Sequence, residues 1–334
     1  MARVTIRHVA ERAGVSTSTV SRTLHNHPRI SEETKQRVMQ AVRELNYRSH
    51  PALPDEPVKT LGLVFPHGAE ELFAHSFFVQ VLRGISTYAQ ERGFLTTFAY
   101  AGDESGKLGF LEDYVASTCV QGVILLSARQ HDSAVELLAA AGTPFSVIGR
   151  PENAGDLLWV DNDNFHAMYD VVTRLMEQGA RRIAFIGGPP HLNVTRDRLE
   201  GYRLAVQNRG LDLPTELIGY ASEFTTSAGY RAMQGILTHD RPDAIVATDD
   251  LLACGALDAI SVRGVDLPCV GFNNSFEARH HSPPLSSVEI QPTELGRHAA
   301  RLVIERIEKR VLPENHVIVP TRFVQRATTE RVSA

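Results

Sequence analysis

The sequence predicts an α/β protein in which an N-terminal all-α head of helix-turn-helix type precedes a body of two parallel-sheet lobes. Three observations carry that expectation. Apolar residues in the first 45 positions recur at helical spacing. A proline-rich break follows at Ser49-His50-Pro51-Ala52-Leu53-Pro54-Asp55-Glu56-Pro57. From Thr60 onward, short apolar runs alternate with amphipathic stretches, the pattern of strand–helix units that build parallel sheets covered on both faces.

In the head, Ile6, Val9, Ala10 and Ala13 fall at i, i+3, i+4 and i+7 and give a first helix one apolar face. Thr5 is placed to cap its start and Gly14 to stop it. Ser16 can cap a second helix that buries Val20 and Leu24. A third begins at Ser31, with Glu32 and Glu33 in the first turn where the helix dipole favours acid, and buries Val38, Ala41, Val42 and Leu45. Two helices joined by a tight Gly-containing turn are the outline of a helix-turn-helix unit.

The three prolines after Ser49 prevent an ordinary long helix or a central strand, so this stretch reads as a linker. Strands are expected at Leu61–Phe65, Leu95–Tyr100, Gly122–Leu126, Phe145–Ile148, Ile183–Ile186, Ala244–Ala247 and Cys269–Phe272. Helices lie between them, among them Phe77–Arg92, Phe165–Gln178, Arg198–Arg209, Ser227–Leu237 and Leu251–Arg263. The expected organisation is a head at 1–48, a hinge at 49–59 and a body at 60–334. Its lobes comprise about 60–160 with 290–320, and about 161–289 with 321–334. Ligands of such folds sit beyond the carboxyl ends of the strands, here in the cleft between lobes.

Composition sets the class. With 334 residues, 43% hydrophobic and 22% charged, the chain is an ordinary globular protein of more than one domain. It has no apolar run of the roughly 18 residues that span a bilayer. Its start, Met1-Ala2-Arg3-Val4-Thr5-Ile6-Arg7-His8, has no signal-peptide pattern, so a cytoplasmic location is expected. Cys119, Cys254 and Cys269 are far apart in apolar settings and read as buried free thiols of a reducing compartment. The net charge of −5 divides unevenly: residues 1–50 carry +5 and residues 51–334 carry −10. A basic head suits phosphate, and an acidic body resists non-specific adhesion to it.

The most specific segment is Val15-Ser16-Thr17-Ser18-Thr19-Val20-Ser21-Arg22. A helix in the major groove needs short polar side chains near its N-terminus and a longer donor one turn on. Thr17 and Ser18 meet the first need and Arg22 the second. Ser16, Thr19 and Ser21 can donate to phosphates. An exposed polar helix face with no partner would look similar in isolation.

The run Thr5-Ile6-Arg7-His8-Val9-Ala10-Glu11-Arg12-Ala13-Gly14-Val15-Ser16, then Thr19-Val20-Ser21-Arg22, Ile30-Ser31-Glu32-Glu33-Thr34 and Leu45-Asn46-Tyr47, resembles the head of the lac/galactose repressor family. The likeness continues to Pro320 or beyond. It implies a homodimer that places two heads on a pseudo-palindromic double-stranded operator, with a body resembling periplasmic sugar-binding proteins. It implies base contacts for Thr17, Ser18 and Arg22, and backbone contacts for Ser16, Thr19, Ser21, His25, Ser31 and Tyr47; Thr5 joins this DNA-binding set. The hinge departs from the family pattern. Glu56 stands where a leucine wedge would enter the minor groove, and Leu53-Pro54 where an Ala-Arg pair is usual. Leu53 is the substitute wedge this sequence offers; without it, minor-groove contact and operator bending are expected to be weaker.

Several places in the body could line a ligand cleft. Arg198, read as opening a helix after the strand ending at Gly187-Gly188, can fork hydrogen bonds to vicinal hydroxyls, or serve as a surface ion-pair partner. Asp249 sits at a strand's carboxyl end and can accept hydroxyl hydrogens or simply cap the next helix, a duty expected of Asp250. Phe224, Phe77 and Phe78 could form flat apolar walls or simply pack the core. Asn273 ends another strand. The family resemblance supports Arg198, Phe224, Asp249 and Asn273 as effector contacts, and Arg150 as an added polar one. Ile148-Gly149-Arg150-Pro151, Trp159-Val160-Asp161-Asn162-Asp163-Asn164 and Phe272-Asn273-Asn274-Ser275 resemble the maltose-type repressor branch, which implies an α-glucoside effector, with purines or pentoses as alternatives.

No catalytic motif is present: there is no nucleophile elbow, phosphate loop or zinc-helix pattern. His280-His281 cannot both face one metal from a regular helix. No cofactor, metal or enzymatic activity is expected. The rival reading, a transport-associated sugar-binding protein, conflicts with the basic helical head. The C-terminal stretch from Arg322 to Ala334 has no leucine heptads, which favours a dimer over a coiled-coil tetramer.

Overall fold

The computed structural model describes residues 5–24, 27, 30–45, 47, 58–65, 75–100, 109, 111–115, 120–213 and 215–330. Within them the chain divides into two units, Met1–Val58 and Lys59–Ala334. The first unit holds α1 (Ile6–Ala13), α2 (Thr17–Leu24) and α3 (Glu32–Glu44) around a core of Val9, Ala10, Ala13, Val20, Val38 and Ala41. Leu24, Val42 and Leu45, expected inside, pack on that core while partly exposed, as a core this small cannot enclose every apolar side chain. The turn between α1 and α2 depends on Gly14, whose φ of 65° is a left-handed setting that costs glycine little. Ser31 caps α3 by accepting the Thr34 N–H. Cys119 and the linker residues 49–57 lie outside the described residues.

The second unit contains two six-stranded sheets. In chain order its elements are β1 (Thr60–Phe65), α4 (Ser76–Glu91), β2 (Leu95–Tyr100), β3 (Gly122–Leu125), α5 (Ser133–Ala140), β4 (Phe145–Ile148) and β5 (Leu158–Asn162). Then follow α6 (Asn164–Glu177), β6 (Ile183–Gly187), α7 (Asn193–Asn208), β7 (Ile218–Tyr220), α8 (Thr226–His239), β8 (Ala244–Ala247), α9 (Asp250–Ser261) and β9 (Cys269–Phe272). The chain closes with α10 (Phe276–His280), β10 (Ser286–Glu289), α11 (Pro292–Ile307), β11 (His316–Val319) and β12 (Arg322–Val324). Lobe one has strand order β11-β5-β4-β3-β1-β2, all parallel. Lobe two has β12-β10-β9-β8-β6-β7, parallel except that β12 runs antiparallel to β10. Strands such as β1, β6 and β8 are buried along their whole length, which explains their unbroken apolar sequences.

Helices cover both faces of each sheet, and three helix pairs approach through glycine. A Cβ on Gly84 of α4 would lie 2.0 Å from the Thr293 carbonyl oxygen of α11, and one on Gly201 of α7 would lie 2.2 Å from that of Phe165 in α6. In the α8–α9 pair, a Cβ on Gly255 would lie 2.0 Å from the Thr226 oxygen. These obstacles are backbone atoms, which cannot swing aside as a side chain can. Gly255→Val is therefore expected to cost about 3 kcal/mol or more and to lower Tm by roughly 10 °C in a thermal melt.

The chain passes between lobes after β5, between β10 and α11, and between β11 and β12. The buried amide of Asn162 ties these passages together, donating from Nδ2 to the Ile290 oxygen at 3.0 Å and the Val319 oxygen at 2.8 Å. The three passages thus lie together at one edge of the two sheets. Among the described residues no helix is long and apolar enough to cross a membrane.

Candidate functional site

On the first unit, Thr17, Ser18 and Arg22 are exposed on α2, with Thr17 and Ser18 in its first turn and Arg22 one turn on. Val20 and Thr23 point inward, so Ser18 and Arg22, two residues either side of Val20, face outward, and Thr17 is exposed as the first residue of the helix. Ser16 precedes the helix and accepts the Thr19 N–H at 3.2 Å, while its hydroxyl also meets Ser18 Oγ at 2.8 Å and Thr19 Oγ1 at 2.9 Å. Thr19, Ser21 and Tyr47 are half-buried, and Thr5 and Ser31 are exposed at the starts of α1 and α3. The Thr5 N–H donates to His8 Nδ1 at 3.1 Å. His25, Leu53 and Glu56 lie outside the described residues.

The second unit holds a cavity of about 350 Å³ between its lobes, in the range of small-molecule sites. Phe77, Phe78, Arg198, Phe224, Asp249 and Asn273 all line it. Arg150 is not brought there: its backbone N–H donates to Asp161 and its guanidinium lies over Trp159, 5.8 Å from the ring centroid. The lining residues the sequence reading passed over include His75, Asp161, Asn164 and Thr248. Asp161 and Asn164 sit at the end of β5 and the start of α6, where loop-like polar letters gave no separate signal.

The polar wall is one hydrogen-bonded chain. Asp161 accepts from Asn164 Nδ2 at 2.8 Å, and Asn164 Oδ1 accepts from Arg198 Nε at 3.0 Å and Nη2 at 2.8 Å. Arg198 Nη1 donates to the Thr248 oxygen at 2.5 Å, and the guanidinium stacks 4.0 Å above Phe272. Contrary to the sequence reading, Arg198 does not open its helix. It lies in the second turn of α7, which starts at Asn193, and it is buried rather than on the surface. Helix α7 begins earlier because Asn193 is itself anchored, its Nδ2 donating to the Arg150 oxygen at 2.9 Å.

The capping assignment at β8–α9 is also corrected. Asp249 is the cap, with Oδ1 accepting the Leu251 N–H at 2.7 Å, while Oδ2 accepts Asn273 Nδ2 at 2.6 Å and meets His75 Nε2 at 2.9 Å. Asp250 turns inward and is held by the Ser275 N–H at 2.7 Å and the Ser287 hydroxyl at 2.6 Å. The extended backbone of Asp249 leaves its carboxylate free to serve both helix and cleft. Beside Asp249, the rings of Phe77, Phe78 and Phe224 lie 5.8–6.2 Å from that of His75; Phe77 and Phe78 meet edge to face at 5.2 Å, and Phe224 lies against Gly188, where a Cβ would come within 2.2 Å of its ring. Aromatic rings and fixed donors and acceptors lining one cavity suit a ligand that carries hydroxyls on a hydrocarbon ring.

Burial shapes the charges. It pushes Asp161 up to about 6 against the pull of the Arg150 and Asn162 N–H groups. It pushes Asp250 up to about 7, with the charge of Asp249 adding to the rise. Burial lowers Arg198 to about 10, opposed by Asp161, Asp249 and Asp250. Burial would also lower His75, but Asp249, with Glu277 and Asp250, brings it above the ordinary imidazole value. Cys254 and Cys269 are buried free thiols, and burial raises both.

Both raised carboxyls hold protons more tightly in the folded chain than in the unfolded one. The stability they contribute is complete below the ordinary carboxylate range and is lost as pH rises through about 6 for Asp161 and about 7 for Asp250. Asp250→Asn is expected to flatten the later part of this loss. Melting curves for both proteins from pH 5 to pH 8 check it: the wild type should lose more Tm above pH 6 than the variant.

Comparison with known proteins agrees with both units. Residues 5–50 match the model for "Bacterial regulatory proteins, lacI family", and residues 172–329 match that for "Periplasmic binding protein-like domain". The HTH-type transcriptional regulator MalR of Streptococcus pneumoniae is 37% identical over 313 residues, covering 91% of this chain and 93% of that protein. A solved complex of the transcriptional regulator CelR with cellobiose is 32% identical with a TM-score of 0.76, covering 97% of this chain and 99% of that one. The lac repressor dimer bound to operator and an anti-inducer shares the fold at a TM-score of 0.80 and 21% identity, over 98% of this chain and 99% of that one.

Proposed function

The chain belongs to the LacI family of bacterial regulatory proteins, DNA-binding regulators of transcription, and from this we propose that it is a dimeric repressor of carbohydrate-use genes switched by a small sugar. The observation that carries the sugar assignment is the pairing, in one interlobe cavity, of the Asp161–Asn164–Arg198 chain and the Asp249–Asn273 pair with the rings of Phe77, Phe78 and Phe224. Vicinal hydroxyls need such donors and acceptors together, and the faces of a pyranose need the rings. An α-glucoside of the maltose type is the proposed effector. The MalR relative's name supports it, and the CelR complex shows that a relative of the same fold takes a disaccharide.

In the proposed mechanism, Thr17, Ser18 and Arg22 read base edges in the major groove. Thr5, Ser16, Thr19, Ser21, His25, Ser31 and Tyr47 set register on the backbone, and Leu53 enters the minor groove. Sugar binding closes the cleft about the Asn162 clasp and changes the spacing of the paired heads, releasing the operator in the cytoplasm. The gain cannot exceed the sugar's differential affinity for the two states. Leu95 and Phe98 on edge strand β2 and Tyr220 on edge strand β7 are exposed, and a second copy would cover them. Sedimentation at twice the chain mass tests that arrangement.

A thermal-shift series with maltose, trehalose, sucrose, cellobiose, galactosides and purines tests the effector. A ligand at a hundred times its Kd stabilises by about 2.7 kcal/mol, which raises Tm by about 5–10 °C. Maltose or a related α-glucoside should give that shift. A shift confined to purines, or none with any sugar, would overturn the assignment.

A further inference from the structure

The lobes touch each other across the cleft in two distinct ways. On one side the contact is mostly backbone: the Gln130 N–H donates to the His191 oxygen at 3.2 Å and the Asn193 N–H to the Ala128 oxygen at 3.2 Å, around an Arg129–Leu192 bridge, with Asn193 Nδ2 donating to the Arg150 oxygen at 2.9 Å and Arg196 pairing with Glu152 at 3.5 Å beside it. On the other it is a single side-chain pair. His75 caps α4 of lobe one, Asp249 caps α9 of lobe two, and Nε2 of the first lies 2.9 Å from Oδ2 of the second. The tautomer is set from behind, because His75 Nδ1 accepts the Phe77 N–H at 3.3 Å, which leaves the hydrogen on Nε2, aimed across the cleft. The rings of Phe78 and Phe224, at 5.8 and 6.0 Å, hold the imidazole edge-on from the two lobes. Glu277 and Asp250 add negative charge behind Asp249, so the acceptor side of the pair is electrostatically rich.

We propose that His75 is a positioning residue for the effector response, fastening lobe one to the same Asp249 carboxylate that meets the ligand, so that ligand binding and the angle between lobes are set at one atom. This rests on the reading of the cleft as the effector site. Asp249 has little acceptor capacity to spare: Oδ1 serves the Leu251 N–H, and Oδ2 takes both Asn273 and His75. A ligand hydroxyl donating to Asp249 must therefore join or displace the imidazole. Either event is transmitted at once to the start of α4, because His75 is that helix's cap. His75 and Asp249 line the cavity, whereas Gln130, Glu152, His191, Asn193 and Arg196 of the far side do not, so the side-chain latch is the interlobe contact that a ligand in the cavity meets directly.

The test measures lobe closure directly. Val262→Cys in lobe two and Val311→Cys in lobe one, at positions 78% and 95% exposed, carry a dye pair in a Cys119→Ser background; Cys254 and Cys269 are buried and stay unlabelled. Single-molecule energy transfer is read on labelled chains diluted into unlabelled protein. His75→Phe is expected to lower the ratio of closed to open molecules about tenfold, the loss of one hydrogen bond to a charged acceptor. His75→Gln, which keeps an N–H donor, should stay within about threefold of the wild type. Asp249→Asn, which sets donor against donor, should open the cleft as His75→Phe does, and the double variant should be no worse than either single one. An unchanged ratio in His75→Phe, an equal loss in His75→Gln or additive losses in the double variant would overturn the latch. Maltose and cellobiose, added to the same samples, separate the two claims. If His75→Phe opens the cleft while neither sugar moves the wild type, the latch stands and the sugar reading falls.

Discussion

Arg198→Ala is expected to abolish the effector response while leaving operator affinity within about threefold of the wild type, and to lower stability by about 3–5 kcal/mol. The loss of response is expected because Arg198 still has guanidinium hydrogens to offer beyond those used by Asn164 and Thr248, and it is the only arginine or lysine lining the cavity among the described residues. The stability loss has a separate cause. Removing the guanidinium leaves the Asn164 amide oxygen and the Thr248 carbonyl without their buried donor, and it leaves Asp161, Asp249 and Asp250 facing one another with no cation between them. Arg198→Lys should recover little, since an ammonium cannot fork to Asn164 while also reaching Thr248. A gel-shift titration of the responsive sugar and a melting curve on the same preparation separate the two effects.

The second large effect lies on the head. Arg22→Ala should cost roughly 1–3 kcal/mol of discrimination at one base position in each half-site. Adding Thr17→Ala and Ser18→Ala should bring specific binding close to the non-specific level. The exposed α2 side chains do little for the fold, since Val20 is the buried member of that turn, so these variants should melt near the wild-type temperature. Ser16→Ala provides the contrast. It removes the acceptor for the Thr19 N–H and destabilises the helix by about 1 kcal/mol, weakening binding to every sequence alike. Binding to a panel of single-base operator variants distinguishes the patterns.

Periodicity made the fold class legible. The buried strands β1, β6, β8 and β9 are unbroken apolar runs, and the strand–helix alternation that predicts two parallel-sheet lobes follows from them. The strands that escaped the sequence reading share a physical cause. β7, β11 and β12 are partly exposed and so lack an unbroken apolar run, while β10 opens with two serines and β5 ends in Asp161-Asn162. In β10, Ser286 and Ser287 are buried because Thr328, Thr329 and Asp250 satisfy their hydroxyls and amides, a compensation no local pattern reveals. The antiparallel course of β12 follows from the chain's last crossing, not from its own three residues.

The cleft was only partly legible. Asp249 and Asn273 stand just beyond strand ends, where a doubly wound sheet gathers ligand contacts, and with Arg198 from the second turn of α7 they converge on the cavity. His75 gave no signal, because its meaning depends on Asp249, 174 positions away. In sequence the two aspartates compete for the cap, with Asp250 favoured. The geometry instead divides the neighbours, with Asp249 serving helix and cleft and Asp250 locking β10 to α9.

The account requires a head that reads sequence and a cleft that alters the reading. The direct measurement selects a preferred duplex with the intact protein and follows its binding by fluorescence anisotropy across salt concentrations, with and without the sugar that raises Tm. The prediction is a steeply salt-dependent affinity, at least about a thousandfold above that for unrelated duplex, which the sugar changes by about 5- to 150-fold. A protein that prefers no duplex, or one that binds the sugar and grips its operator with unchanged affinity, would contradict it.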